Sequence, residues 1–268
     1  MLSIDSLHIK AGETVLKIVD FIRENVEKSG LEGAVVSVSG GIDSAVSLAL
    51  TVKALGPGRV TALTLPERDI TPHCDITDVM QLTGAHDVTC DTVEITPVLE
   101  CLSRVLPKYD PKDRVSTGNL KARTRMIVTY HYANVNRAMV VGSTNRTEWM
   151  TGYFTKYGDG GVDLMPLADL YKNQIRQLAE SLDIPQTIIT KTPTAGFWPG
   201  QSDEEELGVK YDILDLILLG FERGMPDEDI SRALNEDLDL VRRIGARVEA
   251  NVHKRHIPTI LRLRTVSS

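Results

Sequence analysis

Ser39-Gly40-Gly41-Ile42-Asp43-Ser44 holds the parts of a phosphate cradle together with one group that such a cradle should reject. The two glycines let the main chain approach an anion closely. The serine hydroxyls can donate to phosphate oxygens. The β-branched run Ala34–Val38 comes before the loop, and an apolar helical pattern from Asp43 to Ala54 comes after it. This reads as strand, tight loop and helix N-terminus, where unpaired N–H groups and the helix dipole attract negative charge. No lysine follows the glycines, which excludes the G-x-x-x-x-G-K-[ST] loop. Asp43 is the discordant group. It can cap the helix by accepting backbone N–H bonds. As a carboxylate beside a phosphate, it instead requires a cation between the two charges. Magnesium satisfies that requirement, because it takes one or two carboxylates together with substrate phosphates, and we prefer this second reading.

The elements that would position this loop follow from the pattern along the chain. A helix is predicted from about Ala11 to Val26, with Val15, Ile18, Val19 and Ile22 on one face. Further strands fall at Val60–Leu65, within Val88–Ile95 and at Met139–Val141. Helices are expected from a Thr71 N-cap to Leu82, from Gly118 to Asn134 and from Lys172 to Leu182. Alternating strands and helices predict an α/β fold, a parallel sheet covered by helices on both faces. Ligands in such sheets bind outside the carboxyl ends of the strands, so Ser39–Ser44 and Gly142–Asn145 reach one crevice. Tyr153–Gly161 and Thr190–Ser202 read as long irregular loops of the kind that bind or cover ligands. From Asp203 onward the chain is helical, with Leu207, Tyr211, Leu214 and Leu218, then Leu238, Val241, Ile244 and Val248 at helical spacing. This C-terminal extension is expected to pack on the sheet or on a partner subunit rather than form its own domain.

The 268 residues carry a formal net charge of −7, which disfavours nucleic acid as a partner. Cys74, Cys90 and Cys101 show no metal or disulfide spacing and predict reduced thiols in a cytoplasmic protein. No stretch approaches the roughly 20 apolar residues of a membrane span.

The Ser-Gly-Gly-x-Asp-Ser loop resembles the pyrophosphate loop of the ATP pyrophosphatases, which cleave ATP to AMP and pyrophosphate. Further motifs narrow the likeness. Gly118-Asn119-Leu120-Lys121-Ala122-Arg123-Thr124-Arg125 is followed by Phe154-Thr155-Lys156-Tyr157-Gly158-Asp159-Gly160-Gly161. Lys191-Thr192-Pro193-Thr194-Ala195, Asp203-Glu204-Glu205-Glu206-Leu207-Gly208 and His253-Lys254-Arg255 come after them. In this order and spacing, from about Ser37 to Arg255, they resemble the NAD synthetase family. The resemblance implies a Rossmann-like sheet and a single NAD synthetase domain over residues 1–268. It also implies ATP-dependent amidation of deamido-NAD with ammonia through an adenylated nicotinate carboxylate, releasing AMP and pyrophosphate.

Site residues carry over by position. Ser37, Val38, Ser39, Gly40, Gly41, Ile42, Asp43 and Ser44 would hold ATP, with Ser143, Lys172 and Thr194 as further contacts. Thr144 beside Ser143 leaves that assignment open by one residue. Asp43 and Glu148 would hold magnesium. Arg123, Lys156, Asp163, His253 and Lys254 would bind deamido-NAD. Arg125, two residues from Arg123 on one helix, faces another way, so at least one of the pair lies outside the site. Asp43, Glu148, Lys172 and Asp163 are the catalytic candidates. Taken alone, Glu148 reads as an exposed helix acid and His253-Lys254 as a solvated basic helix end. Tyr153, Phe154 and Tyr157 could stack on rings or fill a core.

The length leaves no room for the nitrilase-type amidotransferase domain of glutamine-dependent relatives, so ammonia is the expected nitrogen source. Another ATP pyrophosphatase, of tRNA-thiolating or GMP-forming type, is the alternative, and a nucleotide-binding regulator without turnover is a second. A homodimer is expected, with the stripes of the opening helix and the C-terminal helices as the contact.

Overall fold

The computed structural model describes residues 2–256 and 258–261. Helix α1 (Ala11–Ser29) leads into β1 (Gly33–Ser37), and α2 (Ile42–Leu55) carries the chain to β2 (Val60–Thr64). Helix α3 (His73–Ala85) precedes β3 (Thr89–Thr92), and α4 (Thr96–Val105) with α5 (Arg114–Val135) precedes β4 (Ala138–Val141). All four strands are parallel, in the order β3-β2-β1-β4, with Ala34 opposite Val60 on one side and Met139 on the other. The expected α/β architecture is the observed one.

Val35 and Val36 of β1 are both fully buried. Neighbouring strand residues point to opposite faces, so the central strand needs cover on each side. On one face Val36 joins Ile18 and Ile22 of α1, Val46 and Leu50 of α2, and Leu178 from α7 (Lys172–Ser181). On the other, Val35, Leu63 and Val140 pack with Ile95 and with Ala133 of α5.

Beyond β4 come the short α6 (Arg146–Thr151), then α7, α8 (Gln186–Ile189) and α9 (Asp203–Leu207). The chain ends in α10 (Tyr211–Glu222), α11 (Asp227–Leu234) and α12 (Leu238–Ala250). Helix α10 contacts α6 and α7, and α12 contacts α6. Tyr211, Leu214, Leu218, Ile230, Val241 and Ile244 form a separate apolar cluster with Leu2 and Leu7. The C-terminal helices therefore pack on helices α6 and α7 rather than on the sheet.

Several expectations need correction. Val15, Ile18, Val19 and Ile22 are buried against this chain's own α2 and α7, and Val241 and Ile244 are buried in the C-terminal cluster among α6, α10 and α11. Neither stripe is left over for a partner. Thr71 does not cap α3. Its Oγ1 accepts from Glu67 N (2.9 Å) and closes a turn, and Pro72 precedes the first helical residue. Helix α5 starts at Arg114 rather than Gly118, because Asp113 accepts from Ser116 N (3.0 Å) and caps it. Among the described residues, no helix is long and apolar enough to cross a membrane.

Candidate active site

The crevice opens at the carboxyl ends of β1, β2 and β4 and encloses about 310 Å³. After β1 the chain turns at Gly40, with φ +82°. A Cβ there would sit 3.0 Å from the Asp75 backbone, so glycine meets both a conformational and a steric demand. Ser44 ties the loop together. Its Oγ accepts from Ser39 N (3.2 Å) and donates to Gly41 O (2.9 Å). Ser37 Oγ pairs with Thr129 Oγ1 (2.8 Å), and Val38 N donates to Leu63 O (2.7 Å), which anchors the strand end. Gly41, not Asp43, is the N-cap of α2, so the Asp43 carboxylate is free to turn across the crevice.

It meets two groups there. Asn145 Nδ2 donates to Asp43 Oδ1 (2.8 Å), and the Lys172 ammonium pairs with Asp43 Oδ2. Asn145 is also the N-cap of α6. Its Oδ1 accepts from Glu148 N (3.0 Å), while Glu148 Oε2 accepts from Asn145 N (3.1 Å). This reciprocal capping box fixes Glu148 with Oε1 3.9 Å from Lys172 Nζ. Lys172, the first residue of α7, is only 3% exposed. A lysine at a helix N-terminus opposes the dipole; here two carboxylates outweigh that cost.

The electrostatics follow from this packing. Burial, then the Asp43 charge, push the Glu148 carboxyl well above the usual carboxylate range, with Lys172 opposing. Burial disfavours the Lys172 ammonium, yet Asp43 and Glu148 outweigh it and hold its pKa above the ordinary value. Asp203, 4% exposed at the start of α9, is raised by burial and eased by Lys172. Tyr153 lines the crevice, with its hydroxyl 3.0 Å from Asp203 Oδ1 and 2.5 Å from Glu206 Oε2. Its environment raises its pKa, first by burial.

The ATP-side candidates therefore converge. Ser37, Val38, Ser39, Gly41, Ile42, Asp43, Ser44, Ser143, Thr144, Glu148, Lys172 and Thr194 all line this crevice, and Gly40 makes the turn between Ser39 and Gly41. The substrate-side candidates lie elsewhere. Exposed Arg123 donates to Lys156 O (3.3 and 3.2 Å). Lys156 Nζ donates to His253 O (2.7 Å), and Lys254 Nζ to Gly152 O (2.6 Å) and Phe154 O (2.9 Å). Lys254 is thus no solvated helix end. Asp163 is exposed but accepts from Val140 N (2.8 Å) and Tyr130 OH (3.0 Å), and so fastens the chain after the 153–161 loop to the β4 edge. Phe154 stacks on Trp149 at 5.2 Å.

Sequence reasoning gave no role to four groups at or beside the crevice. Arg125, rather than Arg123, enters the crevice, with its Nε donating to Leu65 O (3.1 Å). Lys191 Nζ bridges Asp75 (2.9 Å), Asp78 (2.6 Å) and Gly40 O (3.0 Å), which pins the 190–202 loop beside the phosphate loop. Asn145 and Asp203 complete the surroundings of Asp43 and Lys172. The Asn145…Glu148 spacing is itself a capping-box signature that would have revealed α6.

The donor set suits a hard divalent cation. Asp43 and Glu148 offer carboxylate oxygens to one pocket, and like-charge repulsion between them is what a cation would relieve. Among the described residues no group of three side chains forms a complete metal cage, so phosphate oxygens and water would supply the remaining ligands.

Residues 14–258 match the NAD synthase family model. An NH(3)-dependent NAD(+) synthetase from Methanosarcina acetivorans is 43% identical over 244 residues, 91% of this chain and 95% of that protein. One from Archaeoglobus fulgidus is 41% identical, covering 94% of this chain and 97% of the relative. Among solved structures, an NMN synthetase from Francisella tularensis superposes with a TM-score of 0.83 at 34% identity, covering 95% of this chain and 99% of that one. The NH3-dependent NAD synthetase from Campylobacter jejuni gives 0.79 at 29% identity, covering 95% and 100%.

Proposed function

Because the chain belongs to the NAD synthase family, we propose that it forms NAD from deamido-NAD, ATP and ammonia. The observation that carries this reading is the convergence of the glycine loop, Asp43, Glu148 and Lys172 on one crevice. A carboxylate is a poor electrophile, and its mixed anhydride with AMP is a good one. A nicotinate carboxylate oxygen attacks the α-phosphorus of ATP, and pyrophosphate leaves. Ammonia then attacks the acyl carbon, loses a proton, and AMP departs with the oxygen that bridged it. The loop N–H groups and serine hydroxyls bind the polyphosphate. Lys172, kept charged by its two carboxylates, stabilises the negative charge that develops at the phosphoryl centre. Asp43 and Glu148 would hold magnesium, which neutralises phosphate charge when bound. Arg123, Lys156, Asp163, His253 and Lys254 are assigned to deamido-NAD. ATP contact is assigned to Ser143, with Thr144 beside it.

We also infer a homodimer. Helices α4 and α5 leave Val98, Val105, Val115, Ile127 and Val135 between 45% and 74% exposed, apolar surface that a second copy of the chain would cover. Sedimentation of the purified chain as a monomer at micromolar concentration would remove this inference.

The experiment incubates the chain with ATP, magnesium, ammonium and deamido-NAD. NAD and AMP should appear in equal amounts. Because an NMN synthetase is among the structural neighbours, nicotinate mononucleotide runs as the competing acceptor. A higher kcat/KM for the mononucleotide would reassign the substrate, and AMP formed only with an unrelated acceptor would reassign the reaction.

A further inference from the structure

Helix α10 is among the most apolar elements of the chain, yet it carries Asp215 at a position that is 0% exposed, among Leu214, Leu216, Ile217 and Leu218. A buried carboxylate costs folding energy unless donors surround it. Three do so here. Thr147 Oγ1 donates to Oδ1 (2.5 Å), and Asn173 N (2.9 Å) and Asn173 Nδ2 (2.8 Å) donate to Oδ2. Seven residues on, and so on the same helix face, Glu222 pairs with Arg146 and with the Tyr171 hydroxyl. These four partners have a common property. Arg146 and Thr147 open α6 immediately before Glu148, and Tyr171 and Asn173 flank Lys172 at the start of α7. The two starts are also tied directly, since Lys172 N donates to Thr147 Oγ1 (3.1 Å).

Building on the assignment of Asp43, Glu148 and Lys172 as the reacting centre, we infer that Asp215 and Glu222 form a clamp. It positions Glu148 and Lys172 against Asp43 from the C-terminal helical layer. The Thr147 hydroxyl is its hinge, accepting from Lys172 N and donating to Asp215. Neither Asp215 nor Glu222 lines the crevice. Both are positioning residues, acting through the helix starts they hold. An apolar residue at 215 would fill the same volume but leave Asn173 N and the Thr147 hydroxyl without their acceptor.

The test uses Asp215→Asn, which presents an amide where donors converge, and the pair Thr147→Val and Thr147→Ser. Three readouts are taken on folded protein well below its melting temperature: kcat and KM for each substrate, the magnesium concentration giving half-maximal rate, and the calorimetric Kd for MgATP. Asp215→Asn and Thr147→Val should each lower kcat about 10–100-fold and raise the magnesium requirement, as loss of outer supports does. KM for deamido-NAD should stay within about twofold, and Thr147→Ser should restore kcat. If both variants melt earlier but keep kcat, magnesium requirement and MgATP Kd within about twofold, α10 is merely structural and the clamp is overturned. If Asp215→Asn does not fold, the two Thr147 variants decide. A parent that binds MgATP but makes no NAD overturns the reaction assigned above, and the clamp is then judged on the MgATP affinities of the variants. A parent that binds no MgATP overturns both.

Discussion

Two lysines mark the difference between the halves of the site. Lys172 is buried, yet Asp43 and Glu148 hold its pKa above the ordinary value. Lys254 is half-buried in the C-terminal basic region, where burial outweighs the pull of Asp159 and Arg247 and Arg123 add repulsion, so its pKa is lowered. The first lysine sits in a pre-set charge constellation facing the crevice. The second is held by backbone carbonyls of the 152–154 segment, as Lys156 is by His253 O. The groups proposed for ATP are therefore pre-set in the folded chain. Arg123, Lys156 and Lys254, proposed above for deamido-NAD, donate to the protein's own carbonyls, and on that proposal they would exchange those bonds for substrate.

Breaking the built-in side should have the largest effect. Asp43→Asn removes the carboxylate that Lys172 and Asn145 both hold, and NAD formation should fall by at least about 100-fold, measured with all substrates saturating. An unchanged rate at low magnesium would take Asp43 out of the metal site. On the other side, Lys254→Met should raise KM for deamido-NAD about tenfold, equal to roughly 1.4 kcal/mol, with KM for ATP little changed. A matched rise in both would erase the distinction between the two halves. Gly40→Ala forces a left-handed alanine against Asp75, so it should cost about 1–2 kcal/mol in chemical denaturation and weaken ATP more than deamido-NAD.

The smallest effect is in pH. Lys254, with a folded-state pKa below 10.5, loses its charge earlier than an ordinary lysine as pH rises. KM for deamido-NAD should therefore climb on the alkaline side before pH 10.5 is reached, while KM for ATP, tied to the raised Lys172, stays level. For stability the sign is the reverse. The contribution of a lowered lysine is complete above 10.5 and is lost as pH falls through the lowered value. A Lys254→Met chain should show neither trend.

The glycine-loop side of the crevice was legible because its signal is local. Strand, glycines, Asp43 and helix are contiguous, and their spacing dictates both conformation and chemistry. Helix α6 was harder to read, since six residues are too few for periodicity to register; the Asn145…Glu148 capping box is its one local mark, and Glu148 alone reads only as an exposed helix acid. Arg125 and Asp203 were missed for a different reason. Which of two arginines on α5 points into the crevice depends on the helix's rotation against the sheet, and Asp203 shares the crevice with Lys172 only through the tertiary fold. The apolar stripe of α1 suggested a partner surface because periodicity reveals an apolar face but not what covers it; α2 and α7 do. The Asp215 contacts, 42 residues from Asn173 and 68 from Thr147, leave no local trace at all.

The central claim is that this crevice activates a carboxylate as its adenylate. It is tested most directly by supplying deamido-NAD labelled with 18O in the nicotinate carboxylate, together with ATP, magnesium and ammonium. The account predicts one labelled oxygen in the AMP released for each NAD formed. NAD formation accompanied by unlabelled AMP, or by ADP and phosphate in place of AMP, would contradict it.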